Sequence, residues 1–340
     1  MRRLYLFFFA VMVAGCVSCE KDNNENPTEF TTCVNFPEPP IEIMSNLDKN
    51  SSEYDCKLIN YFNIVQVRKD LYYMYYSAFG IHSGGEDIDQ GLFFAYSADA
   101  IHWKREKPDG RSNLILENGI QEQSVFMLDS DKEYPFRLIA NIKEEGKFKL
   151  CMWKSSNGFD FDFLNKKMLL EDRLHDTQNV VIPRNGNLYL YTRLWNETAT
   201  NRRNGIAKYT IDGDLMSPID TLAGDYVYNS AASYVNEDYD LLQPTFMNNK
   251  EGNNKSDDAY FQAFLKNGDG CMKIDTNLNQ WIKSDEKWRI VAPGMIDVDG
   301  KKYIAYYAWN WSHDTPQPAN GVSRFYLIRM DLYINNEKIL

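Results

Sequence analysis

Two carboxylates stand at comparable points along the chain: Glu122, in "EQSVFMLD", and Asp176, in "HDTQNVVIPRNGNLYLYTR". Each opens a run whose apolar and polar residues suit a half-buried strand. The second opening is unusually polar, with His175, Asp176, Gln178 and Asn179 in close succession. A carboxyl pair brought to one cleft from different surroundings can divide acid–base work, one group held protonated near neutral pH and the other ionised. Hydrolysis of a glycosidic bond uses such a division, with one carboxyl protonating the leaving oxygen and the other acting as base or nucleophile. Either residue could instead cap a turn or pair with an arginine. The choice depends on the elements that carry them.

From Asn60 onward the chain repeats one order of parts: a strand with a polar opening, a short turn, a Tyr-rich strand, a further strand, then a turn and an aromatic. The first unit reads "NYFNIVQVRKDLYYMYYSAFG" and "GLFFAYSADAIHW", and the second "EQSVFMLDSDKEYPFRLIANIKEEGKFKLCMWKSSNGFDF". The third is "LHDTQNVVIPRNGNLYLYTRLW" with "NGIAKYTIDGDL", in which the first strand and its Tyr-rich partner are joined by a Gly-Asn turn. The fourth is "DLLQPTFMNN" with "DDAYFQAFLKNGDG", and the fifth "RIVAPGMIDVDGKKYIAYYAWNW" with "SRFYLIRMDL". The spacing of about 50 to 65 residues fits one four-stranded propeller blade with its loops. "SADAIHW", "SSNGFDF" and "TIDGDL" punctuate the units, because Ser, Thr, Asp and Asn hydrogen-bond their own backbone in tight turns. Helical periodicity is nearly absent, which argues against a βα barrel. A two-sheet sandwich does not account for the repeat. The fold class expected is all-β, a five-bladed β-propeller.

In a propeller the first strand of each blade lines the central channel, so ligands meet the polar openings of those strands. In order, these offer Asn60 and Asn63; Glu122, Gln123 and Ser124; His175, Asp176, Gln178 and Asn179; Asp240 and Gln243; and Pro293 and Gly294. The catalytic candidates are Glu122 and Asp176, on neighbouring blades. The substrate-binding candidates are Asn63, His175, Gln178, Arg193, Gln243 and Trp311. Arg193 could clamp a carboxylate such as a uronic acid or belong to a charged surface loop. Trp311, like Trp195 and Trp309, could stack on a sugar ring or pack between blades. His175 could orient substrate or tune Asp176, or be a hydrogen-bonded turn residue. Asp55 lies just ahead of the first blade and could supply a further acid there, although the neighbouring Cys56 suggests a structural role.

The composition supports strands: aromatics make up 14% of 340 residues, with 22 Tyr and 19 Phe. A formal net charge of −11 argues against a nucleic-acid binder, which needs clustered Lys and Arg. The opening "MRRLYLFFFAVMVAGC" has a positive n-region, an apolar h-region and small residues before a cysteine, the pattern of a secretory signal. Val13-Ala14-Gly15-Cys16 resembles a lipobox, and Cys19 in "VSCEKDNNE" competes for acylation. The expected organisation is a lipoprotein signal over residues 1–19, a flexible tether over 20–32 and a single propeller domain over 33–340. Export permits disulfides among Cys33, Cys56, Cys151 and Cys271, with Cys33–Cys56 the preferred pair among three possible connectivities. Zinc-like spacings are absent, so neither a metal nor another cofactor is expected.

"DLYYMYYSA" with "AYSADAIHWKRE", then "EQSVFMLD" and "HDTQNVVIPRNGNLYLYTR", is similar to five-bladed propeller glycoside hydrolases of the clan that includes families 32, 43 and 68, in particular to family-32-like proteins of polysaccharide-degrading Bacteroides-type bacteria. The resemblance runs from about Asn60 to Arg329, and its motifs are short. That clan places an acid at the opening of each of the first three blades, so the resemblance implies Glu122 and Asp176 as second- and third-blade acids. Both exchange Asp and Glu relative to the pattern, and the first-blade position falls on Asn60 or Asn63, neither of which is a base. Two readings follow. One is a glycosidase acting on a polysaccharide-derived oligosaccharide; the other is a non-catalytic glycan-binding lipoprotein of a polysaccharide-utilisation system. In either case the expected partners are a carbohydrate and an outer-membrane lipid anchor, with no nucleic acid, and the protein is expected as a monomer at the cell surface or periplasmic face.

Overall fold

The computed structural model describes residues 32–46, 48, 55, 58–81, 87–117, 120–144, 147–171, 175–195, 202–221, 241–248, 259–267, 270–277, 281, 289–309 and 322–339, some of them, including Glu122 and 175–179, by backbone alone. Two short strands come first, β1 (Cys33–Asn35) and β2 (Ile41–Ser45). Blade one is β3 (Leu58–Arg68), β4 (Leu71–Ile81), β5 (Asp87–Ser97) and β6 (Leu114–Leu116). Blade two is β7 (Ile120–Met127), β8 (Phe136–Glu144), β9 (Lys147–Ser155) and β10 (Lys167–Glu171). Blade three is β11 (His175–Arg184), β12 (Asn187–Trp195), β13 (Arg202–Thr210) and β14 (Leu215–Thr221). Blade four begins with β15 (Leu241–Asn248), β16 (Ala259–Asn267) and β17 (Gly270–Thr276). Blade five begins with β18 (Arg289–Val298), β19 (Lys301–Trp309) and β20 (Ser323–Arg329), and β21 (Asp331–Ile334) and β22 (Glu337–Lys338) follow. The fold is the five-bladed β-propeller expected.

The blades are antiparallel meanders whose first strands gather at the centre: β3 packs beside β7, β7 beside β11, β15 beside β18 and β18 beside β3. Both faces of the second strands β4, β8 and β19 are buried, since successive side chains point to opposite neighbours. In β4, Tyr72, Met74, Tyr76 and Ala78 join the core between blades five and one, and Tyr73 and Tyr75 join that between blades one and two. The Tyr-rich run "YYMYY" is therefore an interior strand, with rings such as Tyr73 and Phe94 meeting edge to face at 4.9 Å.

The last two blades are completed from the other end of the chain. β2 pairs with β20 as the outer strand of blade five, and β1 lies parallel to β17 on blade four, with β21 and β22 beyond it. Asn46 and Ser323 seal this junction: the Ser323 N–H donates to Asn46 Oδ1 at 2.9 Å, and the Ile59 N–H donates to Ser323 Oγ at 2.8 Å. Asn277 Oδ1 accepts from the Phe36 N–H at 2.7 Å, and Trp281 Nε1 donates to the Phe36 carbonyl at 2.7 Å. β1 and β2 thus belong to the sheets, although the repeat becomes readable only at Asn60. Cys33 and Cys151 are both buried, and Cys56, the partner expected for Cys33, lies outside the described residues.

The punctuation residues behave as their chemistry dictates. Asp99 Oδ1 accepts from the Ile101 and His102 N–H groups, Ser155 Oγ from Gly158 and Thr210 Oγ1 from Asp214. Ala100, Gly158 and Gly213 take positive φ in these turns. Two-residue turns at Asn185-Gly186 and Asp299-Gly300 close the hairpins after β11 and β18, with φ positive at all four residues, so the β11 turn sits one residue before the Gly-Asn pair anticipated.

Candidate functional site

Near their openings, four of the five inner strands lose register. In β3, Asn60 faces Ser77 but Phe62 faces Tyr76, leaving Tyr61 as the extra residue. In β7 the shift lies between Gln121 and Ser124, in β11 between Asp176 and Asn179, and in β18 between Val291 and Gly294. The inner strand of blade four, β15, pairs with β16 without a shift, Gln243 facing Phe264. A β-bulge bends its strand and re-aims side chains, and bulges concentrate beside functional sites. Here they fall at or beside Asn60, Glu122 and Asp176; the resemblance implies acids at the last two and leaves the first-blade position on Asn60 or Asn63.

Glu122 lies within the β7 bulge, and Asp176 borders that of β11, directly opposite Arg193 of β12. These are backbone placements. The side chains of Glu122, His175, Asp176, Gln178, Arg193 and Gln243 lie outside the described residues, as do Trp311, Cys16 and Cys19 altogether. Because β7 runs beside both β3 and β11, the three bulged openings are contiguous.

The side chains between blades one and two form a polar staple. Gln123, only 6% exposed, crosses to blade one, where its Nε2 donates to the carbonyls of Tyr61 and, at 3.1 Å, Tyr75. Its Oε1 accepts from Ser77 Oγ at 2.8 Å. Asn63 Oδ1 accepts from the Val125 N–H at 2.7 Å, so the amide oxygen of this substrate-binding candidate is engaged in holding neighbouring blades together. Asn60 is buried, and its Oδ1 has no hydrogen-bond partner among the described residues. Tyr61 adopts φ 41°, a left-handed conformation costing about 1–3 kcal/mol in a bulky residue. Sequence reasoning missed Tyr61 and underrated Gln123 and Ser77. The polar Ser77 after "LYYMYY" was the one signal in the sequence that an interior strand carried a buried bond.

Asp55 is fully buried just ahead of β3 in the chain. Tyr76 Oη of β4 donates to its Oδ2, Asn113 Nδ2 donates to the same oxygen at 3.1 Å, and Arg105 stands 3.4 Å away. Arg105 also donates to the Ser45 carbonyl at the end of β2. Burial, reinforced by the Asp55 carboxylate, raises the Tyr76 phenol well above the ordinary tyrosine range, so it remains a proton donor to Asp55. This cluster ties the N-terminal segment to blade one.

No family model matches the chain, and no curated protein sequence matches it. Solved structures do resemble it in fold. A sucrose-6-phosphate hydrolase from Lactobacillus gasseri superposes with a TM-score of 0.58 at 9% identity, covering 88% of this chain and 62% of its own. An α-L-arabinofuranosidase from Podospora anserina, solved with cellotriose, gives 0.51 at 11% identity, covering 88% of this chain and 97% of its own. A Bombyx mori β-fructofuranosidase, solved with sucrose, gives 0.52 at 10% identity, covering 84% and 64%. This chain therefore spans less than two thirds of the sucrose-6-phosphate hydrolase and the β-fructofuranosidase. The propeller fold resembles that of these carbohydrate hydrolases.

Proposed function

We propose that this chain is a glycoside hydrolase acting on a polysaccharide-derived oligosaccharide, held at the outer membrane by acylation of Cys16 or Cys19. The observation that carries the reading is the set of contiguous bulges at the openings of β3, β7 and β11, which bring Glu122 and Asp176 to neighbouring channel-lining strands. The solved structures of similar fold, among them an arabinofuranosidase and a β-fructofuranosidase, support a sugar as the ligand. Glu122 and Asp176 share the acid and base or nucleophile roles. A separation of about 5 Å between their carboxyl groups would give retention, and about 6.5–9.5 Å inversion. His175, Gln178, Arg193, Gln243 and Trp311 contribute sugar contacts, and Asn63 does so through whatever part of its amide the bond to Val125 leaves available.

The second reading, a glycan-binding protein that does not cleave, is favoured by Asn60 and Asn63, amides at the two positions where the resemblance leads one to expect the first-blade acid. Incubation with a broad oligosaccharide panel, followed by measurement of new reducing ends, separates the two. Release by the wild type that is lost in Glu122→Gln and Asp176→Asn supports hydrolysis. Binding without release from any substrate supports the second reading.

A further inference from the structure

We propose that Tyr61 is a sugar-stacking residue at the mouth of the channel, an inference that rests on the carbohydrate reading above. Six non-glycine residues have positive φ among the described residues, and five of them, Ala100, Asn185, Asp299, Asn335 and Asn336, occupy turns. Tyr61 alone lies inside a strand, and that strand lines the channel. A bulky aromatic is a poor choice for this conformation, where glycine or asparagine would be relaxed. Strain of this kind persists when the surroundings fix it and the side chain has a use. The surroundings do fix it, since Gln123 Nε2 reaches from blade two to the Tyr61 carbonyl.

The ring is only partly buried. It packs on the core between blades five and one and meets Tyr307 at 5.5 Å between centroids with 67° between planes. An aromatic held this rigidly offers apolar area to the C–H face of a sugar ring with little entropy left to lose. Beside it, the buried Asn60 Oδ1 has no partner among the described residues, an acceptor suited to a sugar hydroxyl. Tyr61 also shares the bulged openings with Glu122 and Asp176, so a ring stacked there adjoins the proposed carboxyl pair.

The test compares oligosaccharide affinity, by calorimetry, for the wild type, Tyr61→Phe, Tyr61→Gly and Tyr61→Asn, with the unfolding midpoint of each. Glycine and asparagine both accept the left-handed backbone, so at least one folded variant lacks the ring. The expected result is affinity retained in Tyr61→Phe and weakened about tenfold or more in Tyr61→Gly and Tyr61→Asn, about 1.4 kcal/mol. Affinity within about twofold of wild type in the ring-less variants, with only the midpoint altered, would mean that Tyr61 is structural, and the inference fails alone. A wild type that binds no oligosaccharide in the panel overturns the inference together with the carbohydrate reading.

Discussion

The two ends of the inner strands β11 and β18 obey different rules, whereas β3 shifts register near both of its ends. At their closing ends, β11 and β18 run in regular register from Val180 and Gly294 into tight turns at Asn185-Gly186 and Asp299-Gly300, where each residue type suits its backbone. At their opening ends the register breaks, a tyrosine in blade one takes a left-handed conformation, and buried amides reach between blades. Local preference and structure agree at one end and conflict at the other. Sequences that fold reliably are locally consistent, and the exceptions concentrate where function requires them. The difference supports the proposal that the opening face is the functional one.

Substitutions at the two ends should therefore separate activity from stability. The largest effect is expected at the openings. Glu122→Gln and Asp176→Asn should each lower turnover by about 10²–10⁴-fold while leaving the unfolding midpoint near that of the wild type. A midpoint that falls along with activity would reassign these carboxylates to structural pairing.

Asp55→Ala sharpens the contrast, because this acid also lies near blade one yet serves packing. Removing a fully buried carboxylate that pairs with Arg105 and accepts from Tyr76 and Asn113 should destabilise the protein by about 3–5 kcal/mol in chemical denaturation. The turnover of the folded fraction should not change. Loss of turnover at unchanged stability would restore Asp55 as the missing first-blade acid.

Smaller effects belong to the turns. Gly158 has φ 86°, and an added Cβ would lie 2.9 Å from Tyr75 Oη and 3.0 Å from the Phe136 ring, so Gly158→Ala should cost about 1–3 kcal/mol. Gly186 has φ 70° with open space around it, and Gly186→Ala should cost only about 1 kcal/mol. Both should leave turnover of the folded protein intact, as calorimetry alongside an activity assay would show. A Gly186→Ala variant that is folded but inactive would break the division between the two ends.

What was legible in the sequence follows the same division. The five blades could be read because strand alternation and Ser/Asp/Asn/Gly turns are local signals, and Ser155, Asn157 and Gly158 act as their types dictate. The completion of blades four and five by β1 and β2 could not be read. These segments are short, and their partners lie near the opposite end of the chain. Three of the bulges were equally hidden, since Tyr61, Glu122-Gln123 and Thr177-Gln178 contain no glycine or proline to announce them, whereas Pro293-Gly294 does. Amide identity marked Asn63 and Gln123 as polar openings, but only packing reveals that they bond across to Val125, Tyr61 and Tyr75.

The central claim, that an oligosaccharide rests on the opening ends of the inner strands, is tested most directly by hydrogen exchange of the wild type with and without a bound oligosaccharide. The account predicts slower exchange on binding in peptides spanning 58–63, 120–125 and 175–180, with the closing turns at 185–186 and 299–300 unchanged. Protection confined to the closing turns, or to the outer strands, with the openings unaffected, would contradict it.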